Sequence, residues 1–366
     1  MHLSKTELTR YSNHIKLSEI GINGQERLKN AKVLVVGTGA LACTVLQQLT
    51  AAGLGVIGLI DGAKVEERNL QTHPLFSQTD IGASKSKAAA LKLKTQNPNT
   101  QFKIAQTYAS KENVLNLVDT FDLVVDCTDN FPTHYLLNDA CCILQKTIVF
   151  ASMHQFTGRV AVFNHKGGSS LRCLVPEDAK DELNTSEAGI ISTLPSFIGS
   201  IQANEVLKLI LKNKDALDGQ LLQINMLDYA LSVKHIAVTE AVKITELGEY
   251  DLKITDSNST LPSSVSAEVL RSMLNQNSNL KIIDVREYFE WDICRIKGAV
   301  NIPMNLIDEC IDEISREAPT VLVCHHGVRS LNVLHYLETK GYTNLINLEG
   351  GIHAWASRVE KDMPTY

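Results

Sequence analysis

Val33-Leu34-Val35-Val36-Gly37-Thr38-Gly39-Ala40-Leu41-Ala42 decides the fold class of this chain. Four apolar, mostly β-branched residues run into a glycine turn, and a helical pattern follows to Gly53. A second apolar run, Val56 to Ile60, then ends in Asp61. Strand, glycine turn, helix and strand make a βαβ unit. Gly37 and Gly39 let the backbone turn tightly and approach phosphate oxygens, with Ala40 completing the turn and Ala42 at the third glycine position. The helix N-terminus adds a favourable dipole. Asp61 ends the second strand, where a carboxylate reaches ribose hydroxyls. The turn alone leaves ATP and NAD open.

Outward from this unit, the alternation continues. Strands are expected near 102–105, 123–125 and 148–150, with helices over 84–95, 110–119 and 131–145. Residues 1–30 read as helical, 195–213 as a helix and 220–243 as a strand pair. Residues 164–193, rich in Gly, Ser, Asp, Glu and Lys, read as a long crossing loop. The small polar stretch Thr255–Pro262 reads as linker. Beyond it, Ser266 caps an expected helix over 267–274. Strands follow near 282–283, 300–302, 321–323 and 345–347, with a helix at 328–340. The expected fold class is therefore α/β: a Rossmann-like, mostly parallel nucleotide-binding domain over 1–243, a linker over 244–262 and a smaller α/β domain over 263–366.

The chain has 366 residues, 44% hydrophobic and 21% charged, which excludes long disorder. Lys+Arg 35 against Asp+Glu 41 gives a net charge of -6, unlike a general nucleic-acid binder or an anionic-membrane binder. No apolar run reaches the length of a membrane span. The N-terminal residues lack a secretory apolar core, so the expected location is cytoplasmic. Eight cysteines are too sparse for a disulfide scaffold. No CxxC occurs, so no structural zinc site is expected.

Asn69-Leu70-Gln71, Ser84-Lys85 and Asp126-Cys127-Thr128-Asp129-Asn130 fall after strands or loops at one end of the expected sheet. A lysine and an acid there suit a triphosphate and its Mg²⁺. Taken singly, Lys85 reads as a surface lysine and Asp129 as a helix N-cap.

Together with Arg10-Tyr11-Ser12-Asn13-His14-Ile15, Gly24-Gln25-Glu26 and Gly199-Ser200-Ile201-Gln202-Ala203, these motifs resemble the sulfur-carrier branch of the ubiquitin-activating superfamily. It includes the molybdopterin-synthase and thiamine sulfur-carrier adenylyltransferases. The resemblance covers about residues 5–235. It implies that ATP lies over Gly37, Gly39 and Ala40, and that Asp61 holds the ribose. Asn69, Gln71 and Lys85 reach the phosphates; Asp129, with Asn130 beside it, holds Mg²⁺. The substrate is then the Gly-Gly carboxylate of a ubiquitin-like sulfur carrier, the product an acyl-adenylate, and the assembly a homodimer.

The chain departs from that pattern at several places. Asn13 and Thr72 stand where the family usually has arginines. Ala63 replaces the second acid of an Asp-x-Asp. Ser170 and Cys173 stand where many relatives place a zinc-binding CxxC, and Thr185 where some have a cysteine. One well-placed arginine is worth roughly 10³–10⁵ in phosphoryl-transfer rate, or about 4–7 kcal/mol. Its loss motivates an alternative, a degenerate domain that does not adenylate, unless Arg68 reaches in from the neighbouring position. An NAD-dependent oxidoreductase is the remaining alternative, though no acid–base set for hydride transfer is evident.

In the C-terminal part, the strand Val321–Val323 leads into Cys324-His325-His326-Gly327-Val328-Arg329-Ser330 and a helix. A thiol at a strand end, facing backbone N–H groups at a helix N-terminus, favours an anion on sulfur. With Asp284-Val285-Arg286-Glu287, Ile296–Pro303 and Leu348–Trp355, this part resembles the rhodanese family over about 263–360. The resemblance implies a persulfide on Cys324, stabilised by the loop and by Arg329, with Asp284 and Arg286 structural. The sulfur donor is expected to be thiosulfate or a cysteine desulfurase. Tethering a persulfide to an acyl-adenylating domain raises its effective concentration toward about the millimolar range where the linker spans. Cys43, Cys141 and Cys142 read as core residues.

Overall fold

The computed structural model describes residues 2–175, 189–238, 244–248, 250, 264–276, 279–342 and 344–366. The chain forms two compact units, Met1–Lys253 and Ile254–Tyr366.

In the first unit, α1 (Lys5–Arg10), α2 (Ser12–Ile15) and α3 (Gly21–Asn30) precede the sheet. Ser4 starts α1 through a capping box with Glu7. The βαβ unit is β1 (Lys32–Val36), α4 (Ala40–Ala52) and β2 (Val56–Ile60). Next come α5 (Lys85–Gln96), β3 (Gln101–Ala105), α6 (Val114–Asp119), β4 (Leu123–Asp126), α7 (Phe131–Ile143) and β5 (Thr147–His154). The unit continues with β6 (Thr157–Phe163), α8 (Leu171–Leu174), α9 (Thr193–Leu211), β7 (Gln220–Asn225) and β8 (Leu231–His235).

The eight strands lie in the order β3-β2-β1-β4-β5-β6-β7-β8. The first five in that order are parallel and the last three pair antiparallel. Helices cover both faces, so β1 and β4 are buried along nearly their whole length and read as unbroken apolar runs. On one face, α4 and α9 close a core of Leu41, Val45, Leu46, Leu49, Leu194, Ile198 and Val206. Each such side chain contributes about 1.5–3 kcal/mol by leaving water. Strand order reverses between β1 and β4, and ligands of such sheets bind beyond the carboxyl ends of the strands there.

Three sequence expectations are corrected. The expected helix over 110–119 begins only at Val114, because Asn113 folds its side chain back to Ser110 N (2.8 Å) and forms a turn first. The expected loop over 164–193 contains a 3₁₀ turn (His165–Gly167) and α8, held by Leu171 N donating to Asn138 Oδ1 at 2.9 Å. The start of the expected linker also belongs to the first unit, where Leu247 and Tyr250 pack on its core and Tyr250 donates to Asp139 Oδ2 at 2.6 Å. Most of the remaining linker, and Thr185, lie outside the described residues.

The second unit comprises β9 (Ser264–Val265), α10 (Ala267–Gln276), β10 (Lys281–Asp284), α11 (Tyr288–Ile293) and β11 (Val300–Asn301). It ends with β12 (Thr320–Val323), α12 (Val328–Thr339), β13 (Leu345–Leu348) and α13 (Gly351–Arg358). Its parallel sheet runs β11-β10-β12-β13-β9. Cys324 therefore stands at the carboxyl end of the central strand.

Candidate active sites

In the first unit, Gly37 has φ +85, and a Cβ there would stand 2.7 Å from the Cys127 carbonyl oxygen. Glycine thus lets the turn after β1 press on the loop after β4, at the point where strand order reverses. Asp61 braces the same turn: Oδ2 accepts from Thr38 N and Oδ1 from Ala63 N, each at 2.7 Å. The residue is 9% exposed. Each oxygen retains a lone pair for a ribose hydroxyl. The Thr38 hydroxyl is buried with no protein partner, a polar atom that a ligand at the turn would satisfy. Gly39 is the N-cap of α4 and Ala40 its first residue.

Lys85 opens α5, with its N–H donating to Ala63 O at 3.0 Å. Its charge is among the influences that act to lower the Cys43 and His73 pKa values. His73 is buried, and Nε2 lies 3.7 Å from where a Gly39 Cβ would stand. Burial first, and Lys85 second, lower its pKa to about 4, so at neutral pH the ring carries no charge. Thr72 Oγ1 lies 2.9 Å from His73 Nδ1. Asn69 turns its amide oxygen to Glu66 N (2.9 Å), closing a 3₁₀ turn, while Gln71 is exposed. Arg68 pairs with Glu66 at 2.6 Å in a half-exposed bridge.

Beyond β4, Asp126 is fully buried. Its Oδ2 lies 2.7 Å from His134 Nδ1, and Oδ1 accepts from Thr128 N (3.0 Å) and Oγ1 (2.7 Å). Gln202 of α9 donates to Asp126 O at 2.6 Å and Val149 O at 3.0 Å. These bonds fix the 127–130 loop from beneath. The N-cap of α7 is Asn130, which accepts from Thr133 N at 3.0 Å, rather than Asp129. Asp129 is exposed, with Asn130 Nδ2 3.4 Å from its Oδ1. A separate open cleft of about 560 Å³, lined by Ala31, Asp122 and Thr147, lies at the opposite ends of the strands and holds none of these groups.

Burial disfavours the thiolate at four cysteines of this unit. Burial raises Cys43 to about 11 and Cys142 to about 12, and lifts Cys127 and Cys141 well above the ordinary thiol value. Cys173 faces the Ser170 hydroxyl at 3.6 Å.

In the second unit, Cys324 is 1% exposed. Its Sγ accepts from Gly327 N at 3.0 Å, and the Ser330 hydroxyl stands 3.3 Å away. That hydroxyl also reaches Asn347 Oδ1 at 2.7 Å. The loop is closed by α13, with Ile352 N donating to Cys324 O and His353 N to His325 O. Gly351 makes this approach possible: at φ +58, an added Cβ would stand 2.3 Å from Cys324 O. Arg329, expected at the sulfur, forks both terminal nitrogens onto Glu290 at 2.7 Å each. Arg286 is fully buried and bonded to both Asp284 oxygens, to Cys294 O and to the Tyr366 hydroxyl, a structural lock as the sequence implied.

Two family models match these units: the ThiF family over residues 11–243 and the rhodanese-like domain over 266–358. The chain belongs to the ThiF family. It carries a rhodanese-like domain behind the ThiF part. The probable adenylyltransferase/sulfurtransferase MoeZ of Mycobacterium tuberculosis is 34% identical, over 100% of this chain and 96% of that protein. The adenylyltransferase and sulfurtransferase MOCS3 of Culex quinquefasciatus is 32% identical over 100% and 90%. Among solved structures, Escherichia coli MccB with ATP shares the fold, with a TM-score of 0.56 at 21% identity over 64% of this chain and 74% of that one.

In this ThiF-family chain, sequence reasoning did not single out His73, Asp126, His134, Gln202 or Glu290 as site groups. His73 follows directly on the Asn69–Thr72 motif, and Asp126 opens the Asp126–Asn130 motif, so both were within reach. Glu290 carried no signal of its own, since its role depends on the distant Arg329.

Proposed function

We propose that the chain adenylates the Gly-Gly carboxylate of a ubiquitin-like sulfur carrier and then passes it sulfur from a persulfide on Cys324. The protein is an enzyme of the adenylyltransferase kind with a sulfurtransferase domain. One observation carries the finer reading: a single chain holds both a glycine turn braced by Asp61 at the switch point of its sheet and a buried cysteine whose sulfur accepts from Gly327 N at the start of a helix.

The residues present fit ATP. Gly39 has no side chain at the start of α4, the Thr38 hydroxyl awaits a partner, and Lys85 at the start of α5 would supply the cation. Asp129, exposed beyond β4, is the carboxylate that would hold Mg²⁺. The metal, when bound, neutralises charge on the phosphate oxygens. Lys85 and the α4 N-terminus then orient the triphosphate so that a carrier carboxylate oxygen attacks the α-phosphorus. The bond to the β-phosphate oxygen breaks and pyrophosphate leaves. Neutral His73 roofs the turn and excludes water without adding charge.

The terminal sulfur of the Cys324 persulfide attacks the acyl carbon, AMP leaves, and the carrier is joined to Cys324 through an acyl disulfide. A thiol reductant then cleaves the S–S bond, supplying two electrons and releasing the thiocarboxylate. Gly327 N–H, 3.0 Å from the Cys324 sulfur, would stabilise charge on that sulfur as the S–S bond breaks. The donor that loads Cys324 is thiosulfate or a cysteine desulfurase, and the working unit is a homodimer.

A second reading rests on Thr72, whose hydroxyl engages His73, and on Arg68, paired to Glu66. With Asn13 exposed in α2, these sites supply no clamp of the usual arginine kind, and the first unit would bind carrier and nucleotide without adenylating. ATP–pyrophosphate exchange with a Gly-Gly-ended carrier separates the two. Carrier-dependent exchange supports the first reading; its absence, with ATP still bound, supports the second.

A further inference from the structure

Three imidazoles converge beside the Cys324 loop. His325 and His326 follow the cysteine directly, and His353 sits on the first turn of α13. One ring nitrogen of each lies within 4.8 Å of the others. The ring centroids are 4.2 Å apart for His325–His326, 5.1 Å for His326–His353 and 6.0 Å for His325–His353. Among the described residues, this is the one His/Cys/Asp/Glu group with metal-holding geometry.

We propose that His325, His326 and His353 bind one divalent transition cation of the zinc class at the rim of the Cys324 loop.

The chemistry of the donor set matches. Zn²⁺ takes imidazole nitrogens at about 2.0–2.1 Å, and three histidines with an open fourth position form a recurrent coordination set. Tetrahedral ligands at that bond length stand about 3.4 Å from one another. Nitrogens already gathered within 4.8 Å need only small side-chain rotations to reach that spacing. His326 and His353 are exposed, so a cation enters without opening the core; His325 is half-buried.

The scaffold beneath them is rigid where it matters. His353 N donates to His325 O at 3.1 Å, and Ile352 N to Cys324 O at 2.9 Å. Main-chain bonds thus tie the start of α13 to the loop, and the three donors are preorganised by backbone rather than by side-chain chance. His325 is further backed by the Tyr366 ring, edge-on at 4.4 Å between centroids. Imidazole donors select Zn²⁺, Cu²⁺, Ni²⁺ or Co²⁺ over Mg²⁺ or Ca²⁺, which prefer oxygen. Three neutral donors leave the cation its positive charge and at least one position for water or a sulfur anion such as thiosulfate.

The test uses the full chain, reduced and stripped of metal, with Cys324 free of persulfide, so that its result stands apart from the sulfur-transfer reading. Co²⁺ is titrated and followed by visible absorption, then displaced by Zn²⁺. The expected result is one equivalent with d–d bands and no sulfur-to-cobalt charge transfer. His353→Gln and His326→Gln, each checked for an unchanged melting curve, should weaken binding by at least about 100-fold, since even outer-sphere changes cost 10–100-fold. His353→Asp, which restores a ligand atom, should recover part of the affinity. No stoichiometric binding, binding indifferent to both glutamine variants, or a charge-transfer band assigning the cation to cysteine would each overturn the proposal.

Discussion

Arg329 and Glu290 are joined by two parallel N–H···O bonds, both 2.7 Å, between α12 and α11. The Tyr366 hydroxyl donates to the same carboxylate at 3.0 Å. The arginine beside the Cys324 loop therefore clasps two helices, while Gly327 N and the Ser330 hydroxyl stand 3.0 and 3.3 Å from the sulfur. Bidentate pairing of this kind is the strongest form of the ion pair.

Glu290→Ala leaves the Arg329 charge without its fork. The expected cost is about 2 kcal/mol, read as a lower melting temperature of the second unit. Burial raises the Glu290 pKa, but the Arg329 bonds and charge outweigh it and the net shift is downward. A depressed carboxyl pKa gives stability that is full above the ordinary glutamate value and is lost as pH falls below it. In the variant, that acid loss should be smaller. Equal acid sensitivity of the two proteins would contradict the clasp.

Cys324→Ser should abolish persulfide labelling by thiosulfate and thiocyanate formation with cyanide, while leaving carrier-dependent pyrophosphate exchange within about twofold. The units fold around separate cores, so their chemistries should separate by mutation. Retained labelling would move the persulfide to another cysteine.

Lys85→Met should reduce carrier-dependent exchange by about 10²–10³-fold, the range seen when one preorganised charge or donor is removed from a reacting oxyanion. ATP binding, measured by calorimetry, should weaken by less than the rate falls. Unchanged exchange would remove Lys85 from the phosphate site.

His73 makes the first unit acid-sensitive in a defined window. Folded, its pKa is lowered to about 4; unfolded, it titrates near the ordinary value of about 6.5. The unfolded state therefore binds the proton first. The stabilisation from the neutral buried ring is full above about pH 6.5 and is lost on acidification toward about pH 4, on the order of 3 kcal/mol in all. His73→Gln should flatten the stability–pH curve of the first unit in that window. An unaltered slope would show that the ring is not held neutral.

Gly37→Ala and Gly351→Ala should each damage one site alone. The first drives a methyl to 2.7 Å from Cys127 O, the second to 2.3 Å from Cys324 O, both at positive φ. Strain of about 1–3 kcal/mol or more is expected in each unit. ATP binding is lost in the first variant and thiosulfate turnover in the second, measured on the same preparations.

The β1–glycine turn–α4–β2 unit and the Cys324 loop were legible because each is local: residue type and spacing state the backbone conformation directly. The helical content of 164–175 was not, since α8 depends on Asn138 reaching across from α7. Asn130, not Asp129, proved to cap α7 because its own β-region backbone aims its side chain at Thr133 N.

By itself the sequence determined two α/β units, a phosphate-type turn after one strand and a thiol in a nest after another, since these follow from periodicity of 2 and 3.6 and from glycine spacing. Only the tertiary structure decided which groups face those sites. Arg329 meets Glu290, His73 roofs Gly39, and His353, twenty-seven residues beyond His326, joins it at one loop. Such pairings depend on how helices pack on a sheet, and side chains far apart in the chain meet only after the core beneath them has closed.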